Sequence, residues 1–374
     1  MKRVLVYGMT DNPGGIETYL MYMLQKMKEK DIQFDFVTDF PEIAYKDEIE
    51  NFGSKVFYIP PKGKKLISHW RALWRILKTN PQYKSVYFNI LDAGAAFTIL
   101  IPWILKRKII VHSHNGATDK KTLHTICRPF LNLMADNYAA CSKLAAKYMF
   151  GEKTALRKDI LIIPNAIDAA KYDFNPEVRK VYREKLELND EFVLCHVGRI
   201  TNQKNPYRLI DIFEEIYKED KNTILLYVGT GELKNEVVSY AKKKKCAGNI
   251  RFLGVRNDIA EIMQASDVFF LPSLYEGLPI VAIEAQASGL PVVLSTAITE
   301  EVDISGNVYF VDLESDNDTW AKRIFACRVF ERTTTKQKII DAGYDKNTFS
   351  SNMNRFVNIL LGKKYEFKYL KYEL

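Results

Sequence analysis

The chain has no apolar run long enough to cross a bilayer. Its most apolar stretch, Ala93 to Leu105, carries Phe97, Ile99, Leu100, Ile101 and Trp103. It stops short of the roughly 20 residues a spanning helix needs, so no transmembrane segment is expected. Cysteine is scarce. The five present, Cys127, Cys141, Cys195, Cys246 and Cys327, are odd in number and too scattered for zinc-site or redox-motif spacing, and a reducing cytoplasm is the simplest setting. Low-complexity tracts and short-period repeats are lacking too, which argues against disordered and solenoid chains. Nowhere do three glycines take the G-x-G-x-x-G spacing of a dinucleotide site. The amino terminus, MKRVLVYGM, has the charge of a leader but too short an apolar run before Asp11, Asn12 and Pro13, and reads as a first strand. Acidic side chains are rare in one long segment: between Gly53 and Phe150 there are 16 Lys or Arg against only Asp92, Asp119 and Asp136. A face with that bias suits phosphates, nucleic acid or an anionic membrane, and equally serves as a solvated basic surface.

What is there is an ordinary folding composition, 47% hydrophobic and 27% charged, over 374 residues. That length exceeds one comfortable core and predicts two domains. Val4 to Tyr7, Phe34 to Val37, Val56 to Ile59, Ser85 to Asn89, Lys108 to His112, Asn137 to Ala140 and Leu161 to Pro164 are β-prone, with helical patterns such as Glu17 to Lys28 and Leu66 to Lys78 between them. Tyr172 to Asp190 turns polar, as a connection and an initial helix would. A second series follows, with strands at Phe192–Val197, Thr223–Val228, Ile250–Phe252, Val268–Leu271 and Val292–Leu294. Helices are expected at Tyr207–Tyr217, Glu232–Lys244, Ile259–Met263 and Ile280–Ala287. Such alternation predicts two α/β domains, each a doubly wound parallel sheet. The domains are placed at 1–168 and 187–349, with the segment 350–374, aromatic at Tyr365, Phe367, Tyr369 and Tyr372, packing back on the body. Ligands of such sheets lie beyond the carboxyl ends of the strands.

The candidate site residues stand in those loops. Gly14 and Gly15 precede a helix, where backbone N–H groups can meet a phosphate; the same pair also makes an ordinary helix cap. Arg199 and Lys204 follow Phe192–Val197 in a polar loop and can grip a diphosphate between a guanidinium fork and an ammonium. Glu276, in the turn with Gly277 and Leu278, and Glu284 on the helix beyond are acceptors for sugar hydroxyls, or helix-cap carboxylates. His112 and His114 share one strand face, yet local spacing supplies no third ligand for a metal.

In combination and in order, Gly14-Gly15, His112-Ser113-His114-Asn115, Pro164-Asn165-Ala166-Ile167-Asp168, Val197-Gly198-Arg199 with Lys204, Phe252-Leu253-Gly254, and Glu276 with Glu284 resemble the retaining glycosyltransferases of family 4. The resemblance implies the GT-B fold, two Rossmann-like doubly wound domains facing across a cleft, with the carboxy-terminal domain holding a nucleotide sugar. It places Arg199 and Lys204 on the diphosphate, Glu276 by the donor sugar, Glu284 on the ribose and His114 by the reacting carbon. Gly14, Gly15, Asn165, Gly277 and Leu278 complete the donor site. Ala166 replaces the glycine usual after the Pro-Asn pair, which alters the loop around Asn165. No metal and no further cofactor is implied.

The implied activity is transfer of a hexosyl or acetylhexosaminyl group from a nucleotide sugar, with UDP as the expected nucleotide, to an oligosaccharide or polyprenyl-linked glycan of a bacterial capsule or exopolysaccharide. The alternative is a catalytically silent nucleotide-sugar-binding or scaffold subunit. Lys62 to Lys78 reads as a helix from about Leu66, with Leu66, Trp70, Leu73 and Leu77 on one face and Ile67 and Trp74 beside them. An ordinary buried helix has this pattern. With Lys62, Lys64, Lys65, Arg71, Arg75 and Lys78 it also suits peripheral contact with an anionic membrane by a cytoplasmic enzyme. Its Trp70 and Trp74 among cations give a nucleic-acid reading some chemistry, but no nucleic-acid module accompanies them, and no nucleic-acid partner is expected.

Overall fold

The computed structural model describes residues 1–157, 159–348 and 351–363. The expected aromatic tail from Tyr365 onward and the side chain of Lys64 lie outside the described residues. The chain forms two compact units, one of Met1–Asn165 with the helix Ser351–Leu361, the other of Ala166–Thr348.

The first unit is a seven-stranded parallel sheet: β1 Lys2–Tyr7, β2 Ile32–Thr38, β3 Val56–Tyr58, β4 Ser85–Ile90, β5 Lys108–Ser113, β6 Asn137–Ala140 and β7 Ile160–Ile162, in the order β3-β2-β1-β4-β5-β6-β7. Its central strands are buried on both faces, which is why Val4-Leu5-Val6 and Val86-Tyr87-Phe88 read as continuous apolar runs. Helix Gly15–Lys28 buries Tyr19, Leu20, Met23, Leu24 and Met27 at helical spacing. The helix Ser351–Leu361 joins the same core through Met353, Phe356, Val357 and Leu360. Phe356 lies 4.9 Å from the Tyr87 ring.

The second unit carries β8 Phe192–Val197, β9 Thr223–Val228, β10 Ile250–Gly254, β11 Val268–Leu271, β12 Val292–Ser295 and β13 Val308–Val311, all parallel, in the order β10-β9-β8-β11-β12-β13. Val193, Leu194, Leu225 to Tyr227 and Val268 to Leu271 are fully buried in it. Residues 169–186 belong to this unit. Asn175 caps the helix Pro176–Lys185, while Arg179 and Arg183 reach Asp267 and the carbonyls of Gln264, Ser266 and Ala265. The outgoing chain at Ile167 pairs with Asp345, and Lys346 forms an ion pair with Asp168.

In both sheets the strand order reverses beside the first strand, between β1 and β4 and between β8 and β11. Connections leave in opposite directions there and open a crevice beyond the strand ends. That topology decides where the polar loops fall.

Several elements depart from the sequence reading, among them the helices Asn317–Ala326 and Lys336–Asp341, which were not expected. The helix expected from Leu66 begins at Lys62 and kinks at Lys65, whose φ and ψ are −137° and 45°. The strand β13 and the helix Lys121–Met134 were not anticipated. Four residues are too few to show a period, and the interior Pro129 of the helix argues against a helix in a sequence reading. Finally, Leu73 and Leu77 of helix Lys62–Thr79 are buried, with Leu66 and Trp70 half-buried, so that face packs inward as in an ordinary core helix.

Candidate functional site

In the second unit, β8 ends at Val197 and Gly198 turns the chain. Arg199 is exposed and has no ion-pair partner among the described residues, whereas Ile200 is fully buried and pins the loop. A short 3-10 turn, Asn202–Lys204, leads through left-handed Asn205 into the helix Pro206–Glu219, with proline at its first position. Lys204 folds back over Gly198: a Cβ there would sit 3.3 Å from Lys204 Cε.

Lys204 Nζ donates to Glu276 Oε1 at 2.6 Å. Both side chains are largely buried. Gln203 Nε2 donates to Glu276 Oε2 at 3.3 Å and to the Tyr275 carbonyl at 3.0 Å, while Leu274 N donates to Gln203 O at 2.8 Å. The loops after β8 and β11 are thereby joined at the point of strand reversal. Gly277 and Leu278 follow, and Pro279 caps the helix Ile280–Ala287 that carries Glu284. Tyr172, from the helix Ala169–Tyr172, interacts with Glu284, and burial raises the Glu284 carboxyl above its ordinary range.

A third loop supports the other two. Gly229, at φ +133°, lies so close to Gly198 that a Cβ would fall 2.0 Å from its carbonyl oxygen, and one on Gly231 would fall 2.4 Å from Ile200 O. Ile200 N donates to Thr230 O at 3.0 Å. Sequence reasoning missed this Gly229-Thr230-Gly231 loop, although two glycines directly after a strand signal close backbone approach. His196 was missed as well. It is fully buried, held through Nδ1 against Phe270 O at 3.1 Å, and burial pushes its imidazole down to about 3.

In the first unit, His112 in β5 and His114 just beyond its end lie with ring centroids 4.1 Å apart. Their environments differ. His112 is fully buried, its Nδ1 2.5 Å from the Tyr87 hydroxyl and 3.3 Å from the Tyr19 hydroxyl, and burial beside His114 holds its imidazole neutral, well below the usual range. His114 keeps some exposure, and its Nε2 lies 2.9 Å from Asn89 Oδ1. Since that amide oxygen only accepts, Nε2 carries the proton and Nδ1 presents a lone pair with no protein partner among the described residues. Burial pushes this imidazole down to about 3. Asn89 is itself fixed by Gly8, at φ +119°, where a Cβ would meet the Asn89 carbonyl at 2.0 Å. Among the described residues no three His, Cys, Asp or Glu side chains gather as a metal site would require.

Gly15 and Asn165 come together, Asn165 Nδ2 donating to Gly15 O at 3.4 Å, and Asn165 Oδ1 is buried without a protein partner among the described residues. Gly14 is different. The Glu17 carboxylate fills the place beside it, 2.9 Å from where a Cβ would stand, and accepts from Thr10 N at 3.0 Å and Thr10 Oγ1 at 2.8 Å. Negative charge therefore already sits at this helix start.

Two Rossmann-like units of this kind define the GT-B architecture, and solved structures share it. HepE of Anabaena, in complex with UDP and glucose, superposes with a TM-score of 0.78 at 20% identity, covering 97% of this chain and 100% of its own. WaaG, a glycosyltransferase involved in lipopolysaccharide biosynthesis, gives 0.70 at 17% identity, with 96% and 100% covered. The sequence profile of Glycosyltransferase Family 4 matches residues 13–171 and that of Glycosyl transferases group 1 matches residues 178–324. The putative glycosyltransferase EpsF of Bacillus subtilis is 30% identical over 374 residues, 96% of either chain. An Escherichia coli UDP-Gal:alpha-D-GlcNAc-diphosphoundecaprenol alpha-1,3-galactosyltransferase is 37% identical over 163 residues, 42% of this chain and 40% of that protein. The chain belongs to glycosyltransferase family 4.

Proposed function

We propose that this glycosyltransferase moves a hexosyl or acetylhexosaminyl group from a UDP-sugar, with retention of anomeric configuration and without a metal, to a growing polyprenyl-linked bacterial surface polysaccharide. The observation that carries the reading is the joined pair Lys204 and Glu276 at the strand reversal of the second sheet, with Arg199 exposed beside it. In this reading Arg199 and Lys204 stabilise the departing diphosphate while the acceptor hydroxyl attacks from the same face of the sugar. Preorganised cations at a leaving group are commonly a dominant catalytic contribution. Glu276, with the turn residues Gly277 and Leu278, orients the donor sugar, and Glu284 accepts from the ribose hydroxyls. His114, rather than the enclosed His112, contacts the donor near the reacting carbon. Gly14, Gly15 and Asn165 supply donor contacts from the first unit.

The nucleotide and acceptor choices draw support from the E. coli relative, whose name specifies UDP-Gal and a diphosphoundecaprenol acceptor, and from HepE with its bound UDP and glucose. Polysaccharide synthesis draws support from a relative named for amylovoran biosynthesis. No helix among the described residues is long and apolar enough to cross a membrane. The enzyme meets its lipid-linked acceptor peripherally, at the inner face of the plasma membrane, with the Lys62–Lys78 region against anionic lipid.

UDP release by the purified chain, with acceptor present, is the test. Replacing either Arg199 or Lys204 by Ala lowers turnover roughly ten- to a thousandfold. Near-wild-type turnover of the double variant R199A/K204A refutes the assignment, and a purified chain that forms no product with any donor favours the silent subunit. The anomeric proton coupling of the product reads out retention, and turnover in excess chelator reads out the metal.

A further inference from the structure

The alternation of β8 puts Phe192, Leu194 and His196 on one face, and the first two join the apolar core of the second unit. His196 is the exception, a fully buried imidazole among them. Its Nδ1 lies 3.1 Å from the Phe270 carbonyl of β11, which only accepts, so Nδ1 carries the proton and Nε2 a lone pair. The Tyr227 ring of β9, with its centroid 4.7 Å away, flanks the imidazole. Nε2 itself is buried and has no protein partner among the described residues. Lone pairs are seldom left so in a core, because they forfeit the bonds that water would make.

What stands beside that lone pair is a lysine. A Cβ on Gly198 would lie 3.1 Å from His196 Nε2 and 3.3 Å from Lys204 Cε, so the glycine leaves the ring and the lysine stem facing one small gap. Lys204 Nζ gives one N–H to Glu276 Oε1 at 2.6 Å, and an ammonium has three to give. Gln203 Nε2 holds the other oxygen of the same carboxylate, which fixes Glu276 in place. Burial, together with the nearby Lys204 charge, keeps His196 neutral. The two side chains therefore meet as cation and lone pair, which attract, and not as two cations.

We infer that His196 is a positioning residue for Lys204: with a diphosphate in the loop, the ammonium gives one N–H to phosphate, one to Glu276 and the third to His196 Nε2. Three acceptors fix the direction of Nζ as well as its place, which the flexible stem of a lysine does not do alone. A histidine kept only for structure needs no more than its Nδ1 bond to Phe270, and an apolar ring would fill the same space without burying a lone pair. Direct contact of the ring with phosphate is a poorer reading, since the Nε2 lone pair and a phosphate oxygen are both acceptors. The inference rests on the proposed reading of Arg199 and Lys204 as the pair that holds the diphosphate.

Titration of the full chain with UDP, and with uridine, which lacks both phosphates, tests it. H196F weakens UDP binding about tenfold, the order expected for one hydrogen bond to a charged group, and leaves uridine binding unchanged. H196Q, whose amide oxygen reaches the place of Nε2, restores most of that loss. In a K204A background the effect of H196F on UDP shrinks below about twofold, because no ammonium remains to be positioned. A K204A variant that binds UDP as wild type does overturns the diphosphate reading and this inference with it. An impaired K204A beside an H196F that binds UDP normally overturns the inference alone, as does an H196F loss that is equal for uridine or persists in full without Lys204. Should H196F fail to fold, nitrogen NMR of the wild type decides, since the chain has only 5 histidines to assign. UDP moves the Nε2 resonance of His196 upfield in wild type and not in K204A; a resonance that UDP leaves in place overturns the inference.

Discussion

Lys204 and Glu276, 72 positions apart, share a 2.6 Å charge-assisted hydrogen bond that ties the loop after β8 to the loop after β11. Each keeps the other's charge compensated where water has little access. An incoming diphosphate must share the ammonium with Glu276, which an –NH3⁺ with three donors can do.

Removing one partner is therefore worse for stability than removing both. K204A leaves a buried carboxylate uncompensated, a loss of about 3–5 kcal/mol for such pairs. Adding E276Q restores much of that while UDP release stays low. Urea unfolding of the single and double variants measures the difference, and a double variant no more stable than K204A would falsify the account.

The close approach of Gly229 to Gly198 gives a backbone prediction. G229A forces a Cβ against the Gly198 carbonyl at φ +133° and lowers stability on the order of 1–3 kcal/mol or more. It also displaces Arg199 and weakens UDP binding. G248A is the control, because a Cβ there meets nothing within 4 Å, and its stability stays within about 0.5 kcal/mol of wild type. Calorimetric melting and UDP titration of the two variants side by side decide the matter; equal effects would remove the packing argument.

Glu284 yields a pH dependence with a definite sign. Burial raises its folded-state value above the ordinary 4.5, so the native state holds this proton more tightly than the unfolded chain does. Its contribution to stability is fully present below pH 4.5 and is lost as pH rises through the raised folded value. E284Q cannot lose a proton. Its urea midpoint should gain on wild type from pH 4 to pH 7, and a gap that stays constant over that range would contradict the assignment.

How much of this was legible depends on the range of the interaction. The strands β8, β9 and β11 and the helix Ile280–Ala287 were bounded to the residue from their apolar runs and the turn signals around them, because burial on both faces leaves no polar interruption. Helix Lys121–Met134 escaped notice because Pro129 interrupts it and its β-branched and aromatic residues are weak helix formers. The Lys204–Glu276 pair was beyond reach for another reason. Both residues were candidates, but only the adjacency of β8 and β11 brings them together, and strand order is not written in local pattern. Likewise, a carboxylate three residues beyond Gly14 is ordinary at a helix start, and nothing in the spacing showed that it would turn back to Thr10.

Phe356 and Leu360, fully buried in the same core of the first unit as Tyr87 and Met23, follow the whole of Ala166–Thr348 in the chain. On the ribosome, the amino-terminal unit emerges first and waits with that part of its core open, while all of Ala166–Thr348 is synthesised. The second unit, begun later, has every residue it needs sooner. A chain that lacks the helix Ser351–Leu361 keeps a complete second unit attached to a first unit whose core is open, and quality-control proteases would meet that exposed apolar gap first.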